Sequence, residues 1–214
     1  MHCARWTRGS SPIARCGRAA WTRSSATSTK RRLGQKEANV IGDLERAGDR
    51  WRLRFRRELR HPVTRVWQAL TEPDELRRWF PDQVHVDEWK VGARMEFKDA
   101  NARIQPFDGE VLAYEPPELL EFRWGTDVIR LEVTPHGDGT VLTLIDTIDE
   151  VGKAARDGAG WHVCLDRLEH ALDGKPALEQ QWTTVHRDYV RKFGPEAATI
   201  GPPEGWDQKT GAER

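Results

Sequence analysis

The sequence has few cysteines, no long apolar run and no net charge. Its three cysteines, Cys3, Cys16 and Cys164, show no CxxC spacing, which argues against a disulfide framework and against a zinc site built on cysteine pairs. No run approaches the roughly 18 apolar residues needed to cross a bilayer, and the amino terminus lacks the apolar stretch of a secretory signal. We therefore expect a cytoplasmic protein that does not insert into membranes.

The balance of charge gives no reason to expect nucleic acid as a partner, since 34 Lys and Arg residues match 34 Asp and Glu residues. The charge is nevertheless uneven, because residues 1–36 contain nine Lys or Arg and no acidic residue. This stretch is rich in Arg, Ser and Thr and has no hydrophobic periodicity. We predict that residues 1–47 form a disordered basic extension, with a nucleic-acid-binding or targeting arm as the alternative.

Motifs of enzymatic and metal sites are also missing. The sequence has no nucleophile elbow, phosphate-binding glycine loop, HExxH motif or dinucleotide fingerprint. His162, Asp166 and His170 have a spacing that could hold a metal on one helical face, but a solvated helix face is the preferred interpretation. We therefore predict no catalytic residue, no metal and no cofactor.

Alternating apolar and polar residues predict an antiparallel sheet. Trp51, Leu53, Phe55 and Leu59 alternate with charged residues, which is typical of a strand with one wet face. After two short helical segments, six more strands are predicted, at Val84–Val86, Met95–Phe97, Phe107–Tyr114, Leu119–Trp124, Val128–Val133 and Val141–Ile148. The glycines at 137 and 139 indicate a tight hairpin between the last two strands.

Helical periodicity predicts the remaining elements. Residues 63–70 and 76–80 carry apolar residues at helical spacing, each segment following a proline. A long helix follows the sheet, with Trp161, Leu165, Leu168 and Leu172 on one face and with Arg156, Asp166, Arg167 and Glu169 facing away. Residues 176–194 predict a further amphipathic helix, whose stripe from residue 178 to 193 packs on the domain or docks a partner or second subunit. Residues 195–214 are expected to be a polar tail.

Four segments resemble one known family. Residues 61–80, HPVTRVWQALTEPDELRRWF, resemble the opening motif of the activator of heat-shock-protein-90 ATPase homologue-like family, a branch of the START and polyketide-cyclase superfamily SRPBCC. Residues 107–124, 137–144 and 160–176 are similar to its central hairpin, last hairpin and last helix. The resemblance implies an α+β helix-grip domain over residues 48–175, in which a curved antiparallel sheet of about seven strands wraps around the long carboxy-terminal helix.

The resemblance also implies a cavity between sheet and helix in which relatives bind lipids, polyketides or other apolar molecules. The residues expected to line it are Trp79, Phe97, Phe122, Trp124, Trp161, Leu165 and Arg57; for each aromatic residue, simple core packing is the alternative. Arg57 and Asp146 fall on apolar strand faces, where they could orient a ligand or pair with each other. For Asp146, a bulge or strand end that turns it to water is the preferred interpretation.

Three functions are compatible with these features. The leading hypothesis is a non-enzymatic module that binds a hydrophobic or amphipathic small molecule. The second is a cyclase, dehydratase or hydrolase that uses a buried polar group such as Arg57. The third is a co-chaperone-like interaction module, although nothing in the sequence matches a separate chaperone-binding domain.

Overall fold

The computed structural model describes residues 41–99, 104–176 and 182–201. Residues 1–40, which make up most of the predicted extension, lie outside the described residues. So do Leu178, the first member of the second amphipathic stripe, and residues 202–214 of the predicted tail.

Eight strands form one antiparallel sheet in the order β1-β2-β8-β7-β6-β5-β4-β3. Every strand after β3 pairs with the strand before it, and β8 also pairs with β2, which lies far from it in the sequence. Gly137 adopts a φ of 57° in the hairpin between β7 and β8, as the sequence predicted. The strands are β1 (Asp43–Ala47), β2 (Arg50–Leu59), β3 (Asp82–Val86), β4 (Arg94–Asp99), β5 (Phe107–Glu115), β6 (Leu119–Trp124), β7 (Asp127–His136) and β8 (Gly139–Ile148).

The helices cover the inner face of this sheet. Two short helices connect β2 to β3 and carry the chain from one side of the sheet to the other. The long helix follows β8, and a last helix precedes a 3-10 turn at Pro195–Ala198. They are α1 (Val63–Thr71), α2 (Pro73–Leu76), α3 (Ala154–Leu172) and α4 (Trp182–Phe193).

The core lies between the sheet and α3, which confirms the helix-grip fold. From Leu53 to Leu59 every second residue of β2 is buried and the residues between them are exposed, as period-two alternation requires. Trp51 is half-buried. On α3, the residues Trp161, Leu165 and Leu168 are at most 2% exposed. The predicted stripe of the long helix therefore faces the sheet.

Helix α4 packs against α3, with the Tyr189 ring over Gly158. Its side chains Val185 and Tyr189 are buried, and the Tyr189 hydroxyl accepts a hydrogen bond of 2.9 Å from the backbone N–H of Gly42. Lys192 Nζ lies 2.7 Å from Asp43 Oδ1, so α4 also reaches the start of β1. The apolar stripe of this segment is thus used within the chain, and a homodimer or protein partner at residues 178–193 stays a prediction.

Strand β1, a 3-10 helix at Val151–Lys153 and the 3-10 turn at Pro195–Ala198 were not predicted. Strand β1 lies in the last residues of the segment expected to be an extension, and its half-exposed pattern shows no alternation that would reveal it. The 3-10 turn lies at the start of the segment expected to be a tail, and it buries Ala197 and is followed by a backbone hydrogen bond of 3.0 Å from Ile200 N–H to Gly152 O. Within the described ranges, no helix combines the length and apolar character needed to span a bilayer.

Candidate functional site

Phe80 is the centre of an aromatic cluster between the sheet and α3. The chain leaves α2 at this point, and the Phe80 ring turns inward until it is only 6% exposed. Its centroid lies 5.5–6.2 Å from the centroids of five other rings, those of Trp79, Phe97, Phe122, Trp124 and Trp161. The structure therefore brings together all five aromatic residues expected to line a cavity, and it adds Phe80, which we call with them the aromatic cluster.

Little free space remains beside Phe80. The cavity beside it has a volume of about 10 Å³ and is bordered by Leu70, Trp89, Met95 and Phe122. That volume is about the size of one water molecule, whereas small-molecule pockets enclose about 300–1,000 Å³. The cavity beside Phe80 is therefore too small for such a ligand, and a ligand-sized space between sheet and helix stays a prediction.

The two other residues expected in the site are buried but occupy different surroundings. Leu165 is 1% exposed and belongs to the core. Arg57 is 3% exposed and forms ion pairs with Asp166 at 3.4 Å and Glu169 at 3.3 Å. Asp166 and Glu169 were expected to face away from the core. Their ion pairs with buried Arg57 of β2 show that this prediction was wrong for these two residues.

Both tryptophans at the α3 side of the aromatic cluster donate to buried carboxylates. Trp161 Nε1 donates to Asp146 Oδ2 at 2.8 Å, and Trp124 Nε1 donates to Asp82 Oδ2 at 2.9 Å. Asp146 is fully buried. The expectation that Asp146 turns to water is wrong, because the register of β8 runs unbroken past it and pairs it with Leu53 on one side and Ile129 on the other.

Asp146 is part of a group of three carboxylates, with Asp127 of β7 and Asp157 of α3, that we call the acidic cluster. One oxygen from each of the three lies within 4.8 Å of the others. Lys153 Nζ contacts Asp127 Oδ1 at 2.7 Å, and the Arg156 guanidinium contacts both oxygens of Asp157 at 2.6 and 3.1 Å. Among the described residues, Asp146 Oδ1 has no hydrogen-bond partner.

Burial sets the protonation of the acidic cluster. It raises the pKa of Asp146 well above its usual range, and the charges of Asp127 and Asp157 raise it further. Burial also raises the pKa of Asp127 against the opposing effect of Lys153, and that of Asp157 against the opposing effect of Arg156. The cluster therefore holds a proton more readily than exposed aspartates do.

Carboxylate oxygens at this separation resemble the ligands of hard divalent cations. Two of the three are already engaged by Lys153 and Arg156, so the arrangement is better described as a buried polar network than as a metal centre. Sequence reasoning missed this group because its members are brought together by β7, β8 and α3, and no local spacing reveals it.

The histidine pattern on α3 does not come together as one site. His162 Nε2 lies 3.3 Å from Asp166 Oδ2, and its Nδ1 lies 3.3 Å from the Tyr189 hydroxyl. His170 instead lies 3.4 Å from the carbonyl of Pro176. The interpretation of a solvated face is wrong for His162, which is 7% exposed because α4 covers it.

A curved antiparallel sheet that holds a long carboxy-terminal helix defines the helix-grip class, and the sequence matches one family within it. Residues 60–173 match the model of the family described as "Activator of Hsp90 ATPase homolog 1-like protein". The match covers more than half of the chain, and the protein belongs to this family. A comparison with curated proteins gave no match.

Several solved structures have a similar fold. EF2215 from Enterococcus faecalis is 18% identical with a TM-score of 0.64, over 75% of this chain and 95% of its own. CalU16 from Micromonospora echinospora is 24% identical with a TM-score of 0.57, over 74% and 94%. DynU16, described as a protein in the dynemicin biosynthetic locus, is 28% identical with a TM-score of 0.51, over 61% and 51%.

Proposed function

We propose that the protein binds a hydrophobic or amphipathic small molecule between the sheet and α3, in the space that the Phe80 side chain fills. The observation that carries this proposal is the contact of the Phe80 ring with five other aromatic rings. Walls of this kind, with a few polar groups at one border, are typical of small-molecule sites. The ligand would replace Phe80 in these contacts.

Two carboxyl groups border the aromatic cluster and could orient a ligand. Asp146 and Asp82 lie at the indole N–H groups of Trp161 and Trp124, so a ligand against these rings would have a polar group near one end. The similarity to DynU16, a protein from a biosynthetic locus, also supports the proposal.

The energetic cost of moving Phe80 is compatible with binding. Burial of a phenylalanine side chain contributes about 1.5–3 kcal/mol, so its exposure would weaken binding by roughly 10- to 150-fold, at tenfold per 1.4 kcal/mol. A ligand that buries comparable apolar area against the same rings recovers this free energy. We therefore expect the free-energy cost of displacing Phe80 to limit ligand affinity, and the aromatic side chains around the site not to limit it.

Titration with the neutral apolar dye Nile red tests the proposal. Phe80→Ala should bind the dye at least tenfold more tightly than the wild-type chain, because the site is then already open. Phe193→Ala is the matched control: it removes the same side chain from α4, where Phe193 is half-buried against Tyr189, and it should leave dye affinity unchanged.

Circular dichroism and a cooperative thermal transition must show that both variants fold, and Phe80→Leu serves if Phe80→Ala does not. Absence of dye binding to the wild-type chain and to the folded Phe80 variant would reject the proposal. So would equal gains for the variants at Phe80 and Phe193. Mass spectrometry of small molecules that co-purify with the protein identifies the natural ligand.

The enzymatic and co-chaperone-like alternatives remain predictions from the sequence, as does a cytoplasmic location. Arg57, the group named for catalysis, is engaged by two carboxylates of α3, so its surroundings do not favour the enzymatic alternative.

A further inference from the structure

The small cavity beside Phe80 approaches the surface at Trp89. Of the nine residues that border this cavity, seven are buried and two, Val84 and Trp89, are half-buried. Val84 is held within the sheet, where β3 pairs it with Phe97 of β4. Trp89 instead lies in the loop of residues 87–93 that connects these two strands. A ligand that reaches the Phe80 side chain from solvent would therefore pass the indole of Trp89.

Trp89 is the large side chain of this loop that turns inward. The other residues of the loop apart from Ala93 are exposed, and Val91 is 64% exposed. The end of the loop is anchored to β5, because Gly92 N–H donates to Val111 O at 2.8 Å and Val111 N–H donates to Ala93 O at 3.0 Å. The indole is thus carried by an exposed turn whose base is fixed to the sheet.

Two contacts hold Trp89 against the domain. Its Nε1 donates to Thr71 O at 3.0 Å, and Thr71 is the last residue of α1, where carbonyl groups have no partner within the helix. Its ring stacks on Tyr114 of β5, with centroids 6.2 Å apart and planes inclined by 19°. Displacing a helix or a paired strand would break several hydrogen bonds at once. Trp89 is therefore the border of the cavity that can open with the least loss of structure.

We infer that Trp89 is a lid, and that the ligand enters and leaves when Trp89 releases Thr71 and Tyr114. The inference rests on the proposed function, because it names the entrance to that same site. A lid limits the rates of binding and release, since only molecules whose lid is open exchange ligand. It leaves affinity unchanged if it closes equally well over the empty and the occupied site.

Stopped-flow fluorescence with Nile red tests the lid, because it measures association and dissociation separately. Trp89→Phe keeps an aromatic ring but removes the N–H that donates to Thr71, and Tyr114→Leu removes the ring on which Trp89 stacks. Each variant should raise both rate constants about threefold or more, as expected for the loss of one ordinary contact of the closed lid. The dissociation constant should change less than about twofold, because both rates rise together. Tyr114 does not border the cavity, so its effect would not come from a lost contact with the dye.

Trp182→Phe is the matched control. It makes the same change at a half-buried tryptophan of α4, which stacks on His186 with centroids 4.5 Å apart and does not border the cavity. Both rate constants should stay at their wild-type values. Circular dichroism must show that each variant folds, and Tyr114→Leu carries the test if Trp89→Phe does not fold. If the wild-type chain binds the dye too weakly for kinetics, the same substitutions are compared in the Phe80→Ala chain.

The outcomes separate the lid from the site. Unchanged rate constants in both lid variants, with the dye still bound, overturn the lid and leave the proposed site supported. Faster dissociation with unchanged association also overturns it, because this is the result of losing a contact with the bound dye. Equal increases in Trp182→Phe would show a general loosening of the domain and overturn the role of Trp89. If the dye binds neither the wild-type chain nor Phe80→Ala, the proposed function fails and the inference fails with it.

Discussion

Gly158 of α3 lies directly under the ring of Tyr189 of α4. A Cβ atom on Gly158 would be 2.7 Å from Cδ1 of Tyr189, closer than real side chains approach. A glycine inside a helix destabilises it by roughly 0.5–1 kcal/mol relative to alanine. The close approach of the Tyr189 ring explains why α3 nevertheless has a glycine at position 158. The contact positions α4 and brings the Tyr189 hydroxyl to His162 and Gly42.

Gly158→Ala should destabilise the protein, because the new methyl group forces Tyr189 or α4 to move. We expect a loss of about 1–3 kcal/mol in the free energy of unfolding, the usual cost of overpacking, measured by urea denaturation. Gly160→Ala is a matched control two residues away, where nothing lies within 4 Å of an added Cβ. It should stabilise α3 by roughly 0.5–1 kcal/mol. Effects of the same sign in both variants would contradict the proposed contact.

Tyr189→Phe removes one oxygen and leaves the buried N–H of Gly42 without its acceptor. An unsatisfied buried donor costs about 1–3 kcal/mol, and we expect a loss of that size by urea denaturation. Tyr114→Phe is the control, since Tyr114 is half-buried and its hydroxyl makes no hydrogen bond within the described residues. A similar loss in both variants would mean that the hydroxyl of Tyr189 has no special role.

The sequence predicted the elements that have a local period. Alternation in β2 assigned Leu53 and Phe55 to the inner face, and helical spacing assigned Trp161 to the face of α3 that meets the sheet; the structure confirms these placements. The aromatic residues came together because each followed its own strand or helix period. The hydrophobic period of a strand or helix indicates which of its residues face the core. It does not indicate which residues of other elements they will contact there.

The misplaced residues are polar and have partners from distant elements. Alternation put Asp146 on the inner face, but the cost of an unpaired charge there favoured an exposed position. Its donor, Trp161, and its neighbours Asp127 and Asp157 come from α3 and β7, and no pattern within β8 indicates them. The ion pairs of Arg57 with Asp166 and Glu169 were not predicted for the same reason, because they join β2 to α3. Phe80 was predicted to lie on a short helix with Leu76 and Trp79, whereas α2 ends at Leu76, and its central position depends on how the chain turns after that helix.

Lys153→Met tests the balance of charge beside Asp127. Lys153 is 9% exposed at its side chain and lies 2.7 Å from Asp127 Oδ1, so its removal leaves a buried carboxylate without its cation. Loss of one partner of a buried pair costs about 3–5 kcal/mol, which we expect by urea denaturation at neutral pH. The loss should shrink in acid, where Asp127 is protonated.

Lys175→Met is the corresponding control on the surface. Lys175 lies 2.6 Å from Asp173, but both side chains are more than 40% exposed, and exposed pairs contribute at most about 1 kcal/mol. A loss of similar size for both lysines would show that Lys153 is not compensating a buried charge.

Asp146→Asn should change how stability depends on pH. The pKa of Asp146 is raised by burial in the folded protein, whereas in the unfolded chain it titrates near the ordinary value of 3.8. Between these two values the folded state holds a proton that the unfolded state has released, so the wild-type protein loses stability as the pH rises through this interval. At still higher pH the full cost of the buried charge is present.

Asparagine cannot ionise and still offers an oxygen to Trp161. The variant should therefore be more stable than the wild-type chain at pH 7–8, and its advantage should decline as the pH falls towards 4, where Asp146 is protonated in both states. Urea denaturation at several pH values measures the difference, with Asp138→Asn as an exposed control that should show little difference at neutral pH. Since Asp127 and Asp157 are present in both proteins, a difference between Asp146→Asn and wild type that stays constant from pH 4 to 8 would mean that Asp146 does not titrate abnormally in the folded state.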